Sequence, residues 1–354
     1  MIPPPHALAA FKETAAAPVP FVAHSPAEHP QQKRQVAAAS SPIKVNSPRY
    51  FVYCGIGGLL ACGTTHFSLT PVDMLKCRLQ VSKGAYKGIF DGLKKVGASE
   101  GLKGLYLGGA PTFVGYSLQG MGKYGFYELF KYLYGSLVGD GVVHKYKTGL
   151  YLSASASAEF FADIMLCPME ALKVKMQTSA TPFATSFAGG IRKIYAAEGI
   201  NGFYKGLAPL WLRQIPYTMV KFASFENIVE AIYKNCLSKP KDQYSKAQQL
   251  GVTFAAGYMA GILCAIVSHP ADTIVSKLNN AAKGEGESTG ALVSKILKDL
   301  GFAGLWTGLV PRIFMIGTLT AAQWFIYDSF KVRTGLPTTG GDSSGSAEAQ
   351  KRRE

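Results

Sequence analysis

The sequence lacks the features that define disulfide-rich proteins and common enzymes. Its six cysteines include no Cys-x-x-Cys spacing and most lie in apolar stretches, which argues against a disulfide framework. A secretory apolar region, a nucleophile–base constellation, a glycine-rich phosphate loop and a dinucleotide fingerprint are all missing. We therefore expect no enzymatic activity and no cofactor.

Acidic residues are also scarce. There are 22 Asp and Glu against 37 Lys and Arg, which gives a net charge of +15. This balance suits an anionic partner, although part of it could contact anionic lipid. We expect no nucleic-acid partner.

One short motif occurs three times, beginning at Pro71, Pro168 and Pro270, and reads Pro-x-acid-x-x-Lys-x-base except that Val275 replaces the lysine in the third copy. A glycine-aromatic segment and an aromatic–acid pair follow each copy at nearly constant spacing, which indicates internal repeats. The predicted divisions are an N-terminal extension, 1–47, repeats 48–140, 141–240 and 241–335, and a disordered tail, 336–354. The extension reads either as an organelle-targeting segment or as an unstructured tail.

Each repeat contains two apolar stretches. A membrane span needs about 20 helical residues, and all six stretches are long enough. They cover roughly 50–76, 110–135, 148–176, 207–235, 249–278 and 309–333. We predict an all-α membrane protein with six transmembrane helices. Charges inside the stretches indicate an aqueous cavity, because an ionisable group at mid-membrane must face protein or water. A soluble helical solenoid is the alternative, but its helices are shorter.

The three copies differ on the face of the odd-numbered spans that carries the motif acid. Nine and five residues before the motif prolines stand Cys62, Glu159 and Gly261, and His66, Asp163 and Ala265. Histidine titrates near neutral pH, and paired carboxylates bind a proton more readily than isolated ones. His66, Glu159 and Asp163 are therefore predicted to carry a proton. The alternative is a satisfied set of hydrogen bonds.

The even-numbered spans carry a cationic and amide stripe at four-residue spacing. The predicted substrate-binding residues are Arg213, Lys123, Lys221, Gln119, Tyr217 and Gln323. A guanidinium can bind two phosphate oxygens at once, which makes Arg213 the strongest candidate for an anion ligand. The two lysines could instead extend their charged ends toward the membrane surface.

The repeated motif, followed by the glycine-aromatic segment, resembles the mitochondrial carrier family over about residues 50–333. Segments 155–163, 213–217 and 316–320 resemble its phosphate-importing branch and a close branch member associated with copper delivery. The resemblance implies a pseudo-threefold bundle of six spans with short matrix helices, located in the mitochondrial inner membrane. It also implies cardiolipin bound near 106–108, 204–206 and 306–308. We expect a monomer.

The resemblance further implies two gates made of ion pairs. The proline-motif gate, on the matrix side, comprises Asp73, Lys76, Glu170, Lys173 and Asp272. Its expected pairs are Asp73 with Lys173 and Asp272 with Lys76, because Glu170 would need a base at Val275. The aromatic–acid gate, on the cytoplasmic side, comprises Glu128, Lys131, Glu226, Asp328 and Lys331. Its expected pairs are Glu226 with Lys331 and Asp328 with Lys131.

The implied function is import of inorganic phosphate by proton symport or hydroxide antiport, with alternating access through the two gates. Copper import is the alternative within transport. Cys54, Cys62 and His66 lie eight and four residues apart on the first span and could offer soft ligands to Cu(I). The sequence leaves phosphate and copper both open.

Overall fold

The computed structural model describes residues 43–81, 86–178, 183–184, 186–237, 239, 241–280, 289–306 and 308–340. Most of the predicted N-terminal extension therefore lies outside the described residues. The described part contains helices and connecting turns and no strand.

Twelve α-helices follow one another in the described chain. In order they are α1 Pro48–Val81, α2 Ile89–Ser99, α3 Gly101–Leu105, α4 Gly109–Val138, α5 Asp140–Lys145, α6 Lys147–Thr178, α7 Phe187–Glu198, α8 Asn201–Tyr204, α9 Leu207–Ala231, α10 Lys246–Asn280, α11 Thr289–Gly304 and α12 Leu309–Arg333. A π-helical turn, Ile232–Cys236, extends α9, and a 3₁₀ turn, Lys241–Gln243, precedes α10.

Six of these helices are long, with 25 to 35 residues each: α1, α4, α6, α9, α10 and α12. At 1.5 Å per residue, the shortest of them exceeds the thickness of a bilayer core of about 30 Å. Each long helix packs against the next one in the chain, and α12 packs against α1. The six helices therefore form a closed ring. Short helices connect the two long helices of each repeat, and α5 connects the first repeat to the second.

Glycine allows two of these contacts to be very close. A β-carbon at Gly58 of α1 would stand 2.2 Å from the backbone oxygen of Gly120, and one at Gly120 of α4 would stand 2.2 Å from the oxygen of Gly58. In the same way, a β-carbon at Gly261 of α10 would stand 2.6 Å from the Cα of Gly317 of α12. Small residues allow helix backbones in membranes to approach closely. Both contacts join the two long helices of one repeat.

The ring is apolar outside and charged inside. Val52, Leu212 and Phe314 are 60%, 81% and 63% exposed, whereas Glu159 and Asp163 are completely buried. In a water-soluble protein the exposed positions would be polar and the buried ones apolar. This inversion is the arrangement expected of helices that face lipid and surround a polar interior.

Hydropathy alone would have missed most of these helices. By length and apolar composition, two described segments qualify as membrane spans, 147–177 and 246–270. The other long helices carry interior charges or enough polar residues to fall below that standard. The repeat pattern was the stronger signal.

The chain after α12 is packed. Leu336, Thr338 and Thr339 are each at most 5% exposed. The prediction of a disordered tail over 336–354 is therefore wrong for 336–340, where tertiary contacts order a polar sequence. Residues 341–354 lie outside the described part.

Candidate functional site

A buried cluster of charges lies between α4 and α6. The Lys123 ammonium is 3.0 Å from Glu159 Oε2, and the Gln119 amide donates hydrogen bonds to Glu159 Oε1 at 2.8 Å and to Asp163 Oδ1 at 3.0 Å. Both helices contribute residues four apart, so each pair lies on one helix face. The amide thus links two carboxylates that are completely buried.

A second buried cation lies across the interior. Lys221 of α9 donates a hydrogen bond to Gln323 Oε1 of α12, and the Gln323 amide donates to Thr65 Oγ1 of α1 at 3.3 Å. Lys221 is 2% exposed, and no carboxylate pairs with it in the described part of the chain. Lys221 and Gln323 were predicted from the sequence, whereas Thr65 was not, because a threonine within a helix has no distinguishing pattern. We refer to Gln119, Lys123, Glu159, Asp163, Lys221 and Gln323 as the central cluster.

His66 lies apart from the two carboxylates. Its ring stacks on Tyr116 of α4, with centroids 3.7 Å apart and planes 10° from parallel. The Lys173 ammonium also lies near Tyr116, at 5.2 Å from the centroid of its ring. Among described residues, the His66 side chain forms no hydrogen bond with Glu159 or Asp163. The geometry brings together two of the three predicted proton carriers.

Arg213 occupies a different level of α9. It precedes Lys221 by eight residues, which corresponds to about 12 Å along a helix. With Tyr217 it lines a cavity of about 930 Å³ between α6, α9 and α10. The structure therefore separates the predicted anion ligands into the central cluster and a second position near the proline-motif gate.

Glu170 has partners that its sequence position did not predict. The Arg213 guanidinium lies 3.9 Å from its Oε1 and the Lys173 ammonium lies 3.8 Å from its Oε2. The expectation that Glu170 lacks a base is therefore wrong. It considered only the position of Val275, whereas the bases come from α9 and from the next turn of α6.

The described side chains of the proline-motif gate include one of its two predicted pairs. Lys173 lies 3.6 Å from Asp73 Oδ2, which is within ion-pair distance. Lys76 contacts the Met315 sulfur at 2.8 Å. The side chain of Asp272 lies outside the described residues, so its pair with Lys76 stays a prediction.

The aromatic–acid gate pairs differently from the prediction. The Lys131 ammonium lies 2.9 Å from Glu226 Oε1 and 3.1 Å from Glu128 Oε1, and the Tyr50 hydroxyl donates to Glu128 Oε2 at 3.0 Å. Lys131 therefore bridges α4 and α9. The predicted pair of Asp328 with Lys131 is wrong, because Lys131 is held by two nearer carboxylates.

The remaining two gate residues bind threonines. Asp328 accepts hydrogen bonds from Thr253 Oγ1 at 2.7 Å and from Thr339 Oγ1 at 2.7 Å, and Lys331 donates to Thr339 Oγ1 at 3.2 Å. The predicted pair of Glu226 with Lys331 is therefore wrong as well. The sequence analysis assigned Thr339 to the tail, so it could not anticipate this contact.

A layer of six aromatic rings separates the central cluster from the aromatic–acid gate. On the second long helix of each repeat, namely α4, α9 and α12, one ring directly follows the residue of the central cluster. Another ring directly precedes the gate acid. The rings are Tyr124, Tyr127, Phe222, Phe225, Trp324 and Tyr327, and all are at most 1% exposed. Phe225 and Trp324 stack with centroids 3.7 Å apart. Three of these aromatics belong to the aromatic–acid pairs that mark the repeats, but a closing layer was not predicted from them.

The predicted copper ligands are not brought together. Cys54 and Cys62 are both buried, and their eight-residue separation corresponds to about 12 Å along α1. Cys54 packs within the aromatic core, whereas His66 stacks on Tyr116. Within the residues that the structure describes, no group of three or more His, Cys, Asp or Glu could hold a metal ion.

The three repeats match a known family model. The model, described as mitochondrial carrier protein, matches residues 47–137, 144–235 and 246–335, which is more than half of the chain. The chain belongs to the mitochondrial carrier family. The predicted all-α fold of six spans is therefore confirmed, as is a multi-pass location in the mitochondrial inner membrane. Members of this family are carriers, so the chain is a transport protein.

Similar carriers come from distant organisms. The chain is 58% identical over 304 residues to a probable mitochondrial phosphate carrier protein of Schizosaccharomyces pombe, covering 86% of this chain and 97% of that protein. It is 56% identical to a mitochondrial phosphate carrier protein of Caenorhabditis elegans, covering 85% and 87%. It is 53% identical to human solute carrier family 25 member 3, covering 88% and 85%. The resemblance to the phosphate-importing branch is thus confirmed.

Proposed function

We propose that this carrier imports inorganic phosphate together with a proton. The names of the similar carriers from yeast and nematode supply the substrate. The observation that supports proton coupling is the central cluster, in which two buried carboxylates and two buried lysines share one interior.

Charge balance explains how the cluster couples a proton to an anion. With Glu159, Asp163, Lys123 and Lys221 all ionised, the four side chains have no net charge. A proton on either carboxylate leaves one positive charge, and a phosphate monoanion restores neutrality. Net charge inside a membrane protein is costly, so proton and anion favour each other's binding. Their joint movement is electroneutral.

Lys221 is the side chain best prepared to receive the anion. Its described partner is a neutral amide, whereas Lys123 is already paired with Glu159. Gln323 donates one amide hydrogen to Thr65 and can donate the other to a phosphate oxygen. Glu159 and Asp163 hold the proton, with Gln119 keeping the two carboxylates side by side. His66 stays a candidate for passing the proton toward the proline-motif gate.

Arg213 provides a second position for the anion. It lies on the proline-motif side of the central cluster, and its guanidinium can contact two phosphate oxygens. Its neighbour Glu170 is 3.9 Å away, and repulsion between that carboxylate and phosphate favours release from this position. Phosphate would therefore pass from Lys221 to Arg213 on its way to the matrix.

The two gates differ in how tightly they are closed. The aromatic layer and the buried ion pairs seal the cytoplasmic side, where Glu226 and Glu128 are 3% and 7% exposed. At the proline-motif gate the Asp73 side chain is 30% exposed and its ion pair with Lys173 is longer, at 3.6 Å. Partly hydrated ion pairs contribute about 1 kcal/mol or less and open readily. This conformation corresponds to the carrier closed toward the cytoplasm.

The proposal is tested with the purified full-length chain in liposomes. We expect uptake of labelled inorganic phosphate when the lumen is more alkaline than the outside, and little uptake without that gradient. The double variant Lys123→Ala with Lys221→Ala should take up no more than protein-free liposomes. Gradient-driven uptake that survives in the double variant would contradict the assignment of the central cluster.

No observation in the described residues favours copper over phosphate. The thiols of Cys54 and Cys62 lie at different levels, so copper import stays a prediction that the cysteine variants below can test. Cardiolipin binding near 106–108, 204–206 and 306–308 and a monomeric state also stay predictions.

A further inference from the structure

The chain reverses direction directly after α12. Gly335 adopts a φ of +77°, which is readily available to glycine, and the Leu336 amide donates a hydrogen bond to the Lys331 carbonyl at 2.7 Å. Leu336 is then buried, at 1% exposure. This turn sends residues 336–340, here called the closing segment, back across the aromatic–acid gate.

Thr339 of the closing segment forms hydrogen bonds with both Asp328 and Lys331 of the aromatic–acid gate. Its hydroxyl donates to Asp328 Oδ1 at 2.7 Å, and its backbone amide donates to Asp328 Oδ1 at 3.0 Å and Oδ2 at 3.1 Å. The same hydroxyl accepts a hydrogen bond from Lys331 at 3.2 Å. Asp328 and Lys331 are 0% and 2% exposed. Thr339 therefore takes the place of an ion-pair partner for each of them.

The closing segment is also attached to other helices. Lys241 donates hydrogen bonds to the carbonyls of Thr338, at 2.7 Å, and Gly340. The Thr338 hydroxyl donates to Gln249 Oε1 of α10 at 3.0 Å. These bonds connect the end of α12 to α10 and to the linker that precedes it.

Gly340 brings the segment against a third helix. It adopts a φ of +71°, and a β-carbon there would stand 2.7 Å from Val229 Cγ1 of α9. A side chain at 340 would therefore be strained and would collide with α9. Because α9 belongs to the second repeat and α12 to the third, the closing segment spans a boundary between repeats.

We infer that Thr339 is a gating residue and that the closing segment holds the carrier closed toward the cytoplasm. The inference rests on the proposed alternating-access function. Opening at this end requires α9, α10 and α12 to separate, and the bonds of the closing segment must then break. Asp328 and Lys331 become free to find other partners only in that open conformation. A hydroxyl four residues beyond the end of the family match thus contributes to the gate.

Thiol labelling can measure this opening without phosphate. Cys54 is completely buried in the aromatic core near the gate, and Cys264 is completely buried in a separate apolar cluster that contains Ile316. The purified full-length chain in detergent would be treated with a maleimide, and both labelling rates would be followed by peptide mass spectrometry. Opening at the aromatic–acid end raises the rate at Cys54 alone, whereas global unfolding raises both.

Thr339→Val removes the hydroxyl and keeps the shape. We expect Cys54 to be labelled about fivefold faster, because loss of one hydrogen bond of this kind shifts an equilibrium by roughly that factor. Thr339→Ser should restore the slow rate. Thr334→Val is the matched control, since among the described residues the Thr334 hydroxyl donates only to the carbonyls of Phe330 and Lys331, in the last turn of α12.

Two truncations provide a test that does not depend on one side chain. A chain ending after Leu336 should label rapidly at Cys54, and one ending after Gly340 should behave like the full chain.

If Thr339→Val does not fold, Lys241→Gln loosens the closing segment without altering a gate residue and should give the same acceleration.

The inference is overturned if a folded Thr339→Val protein labels Cys54 at the original rate. It is equally overturned if labelling of Cys54 and Cys264 rises together, because the segment would then support only the overall fold. Neither outcome depends on phosphate, so failure here is distinguishable from failure of the proposed substrate.

Discussion

Glu159 combines an ion pair with a predicted proton site. Its carboxylate is completely buried, with Lys123 on one oxygen and Gln119 on the other. We expect Glu159→Gln to reduce uptake driven by a pH gradient by at least about tenfold, while exchange of phosphate for phosphate falls much less, because exchange needs no net proton movement.

The same substitution leaves the Lys123 cation without its partner. Breaking a buried ion pair from one side costs about 3–5 kcal/mol, so both rates must be normalised to folded protein from a thermal melt. Equal losses of uptake and exchange would indicate that Glu159 has a structural role only.

Arg213 is the second residue with a specific expectation. In Arg213→Lys an ammonium replaces the planar guanidinium, and contact with two phosphate oxygens at once is lost. We expect the apparent affinity for phosphate in exchange to weaken by about tenfold, with little change in melting temperature because the side chain is 44% exposed. Arg192→Lys, at an exposed position of α7, is the control. Unchanged affinity would remove Arg213 from the phosphate path.

The thiols of α1 separate phosphate from copper. Cys54→Ala combined with Cys62→Ala should retain most phosphate uptake, because both side chains are buried away from any described metal-binding group. Copper uptake, measured in the same liposomes, should disappear in this variant only if the chain carries copper. Loss of phosphate uptake in a folded double variant would mean that α1 contributes sulfur to the phosphate site.

At the scale of the helix, the contact between α1 and α4 leads to a sharp expectation. Gly58→Ala places a methyl group where the backbone oxygen of Gly120 stands, at 2.2 Å, and a backbone atom cannot move aside easily. We expect a loss of roughly 1–3 kcal/mol in stability. Gly125→Ala, whose nearest neighbour would be at 3.4 Å, should be tolerated. The check is a pair of thermal melts, and equal melting temperatures would contradict the close contact.

Helix positions were predictable from the sequence to a large extent. The repeated motif and the apolar stretches identified all six long helices, and four-residue spacing correctly placed Glu159 beside Asp163 and Gln119 beside Lys123. Spacing along one helix could not determine which carboxylates pair with Lys131, because that pairing depends on the distance between α4 and α9. For the same reason Glu170 and Arg213 could not be paired from the sequence.

At the scale of the whole molecule, a polar interior is closed at one end by the aromatic layer, the ion pairs of Lys131 and the closing segment. The three repeats made the overall ring predictable. The closing segment was not predictable, because Thr338, Thr339 and Gly340 form a polar stretch that is ordered only by contacts with other helices. Its role depends on sites far away in the sequence.

The central claim is that one proton accompanies each phosphate anion through the cluster. The most direct test compares two driving forces in liposomes that contain the unmodified chain: a pH gradient with no membrane potential, and a potassium-diffusion potential with equal pH on both sides. The account predicts that the pH gradient drives uptake of labelled phosphate and that the potential alone does not, because the proton and the monoanion move together without net charge. Uptake driven by the potential and indifferent to the pH gradient would contradict it.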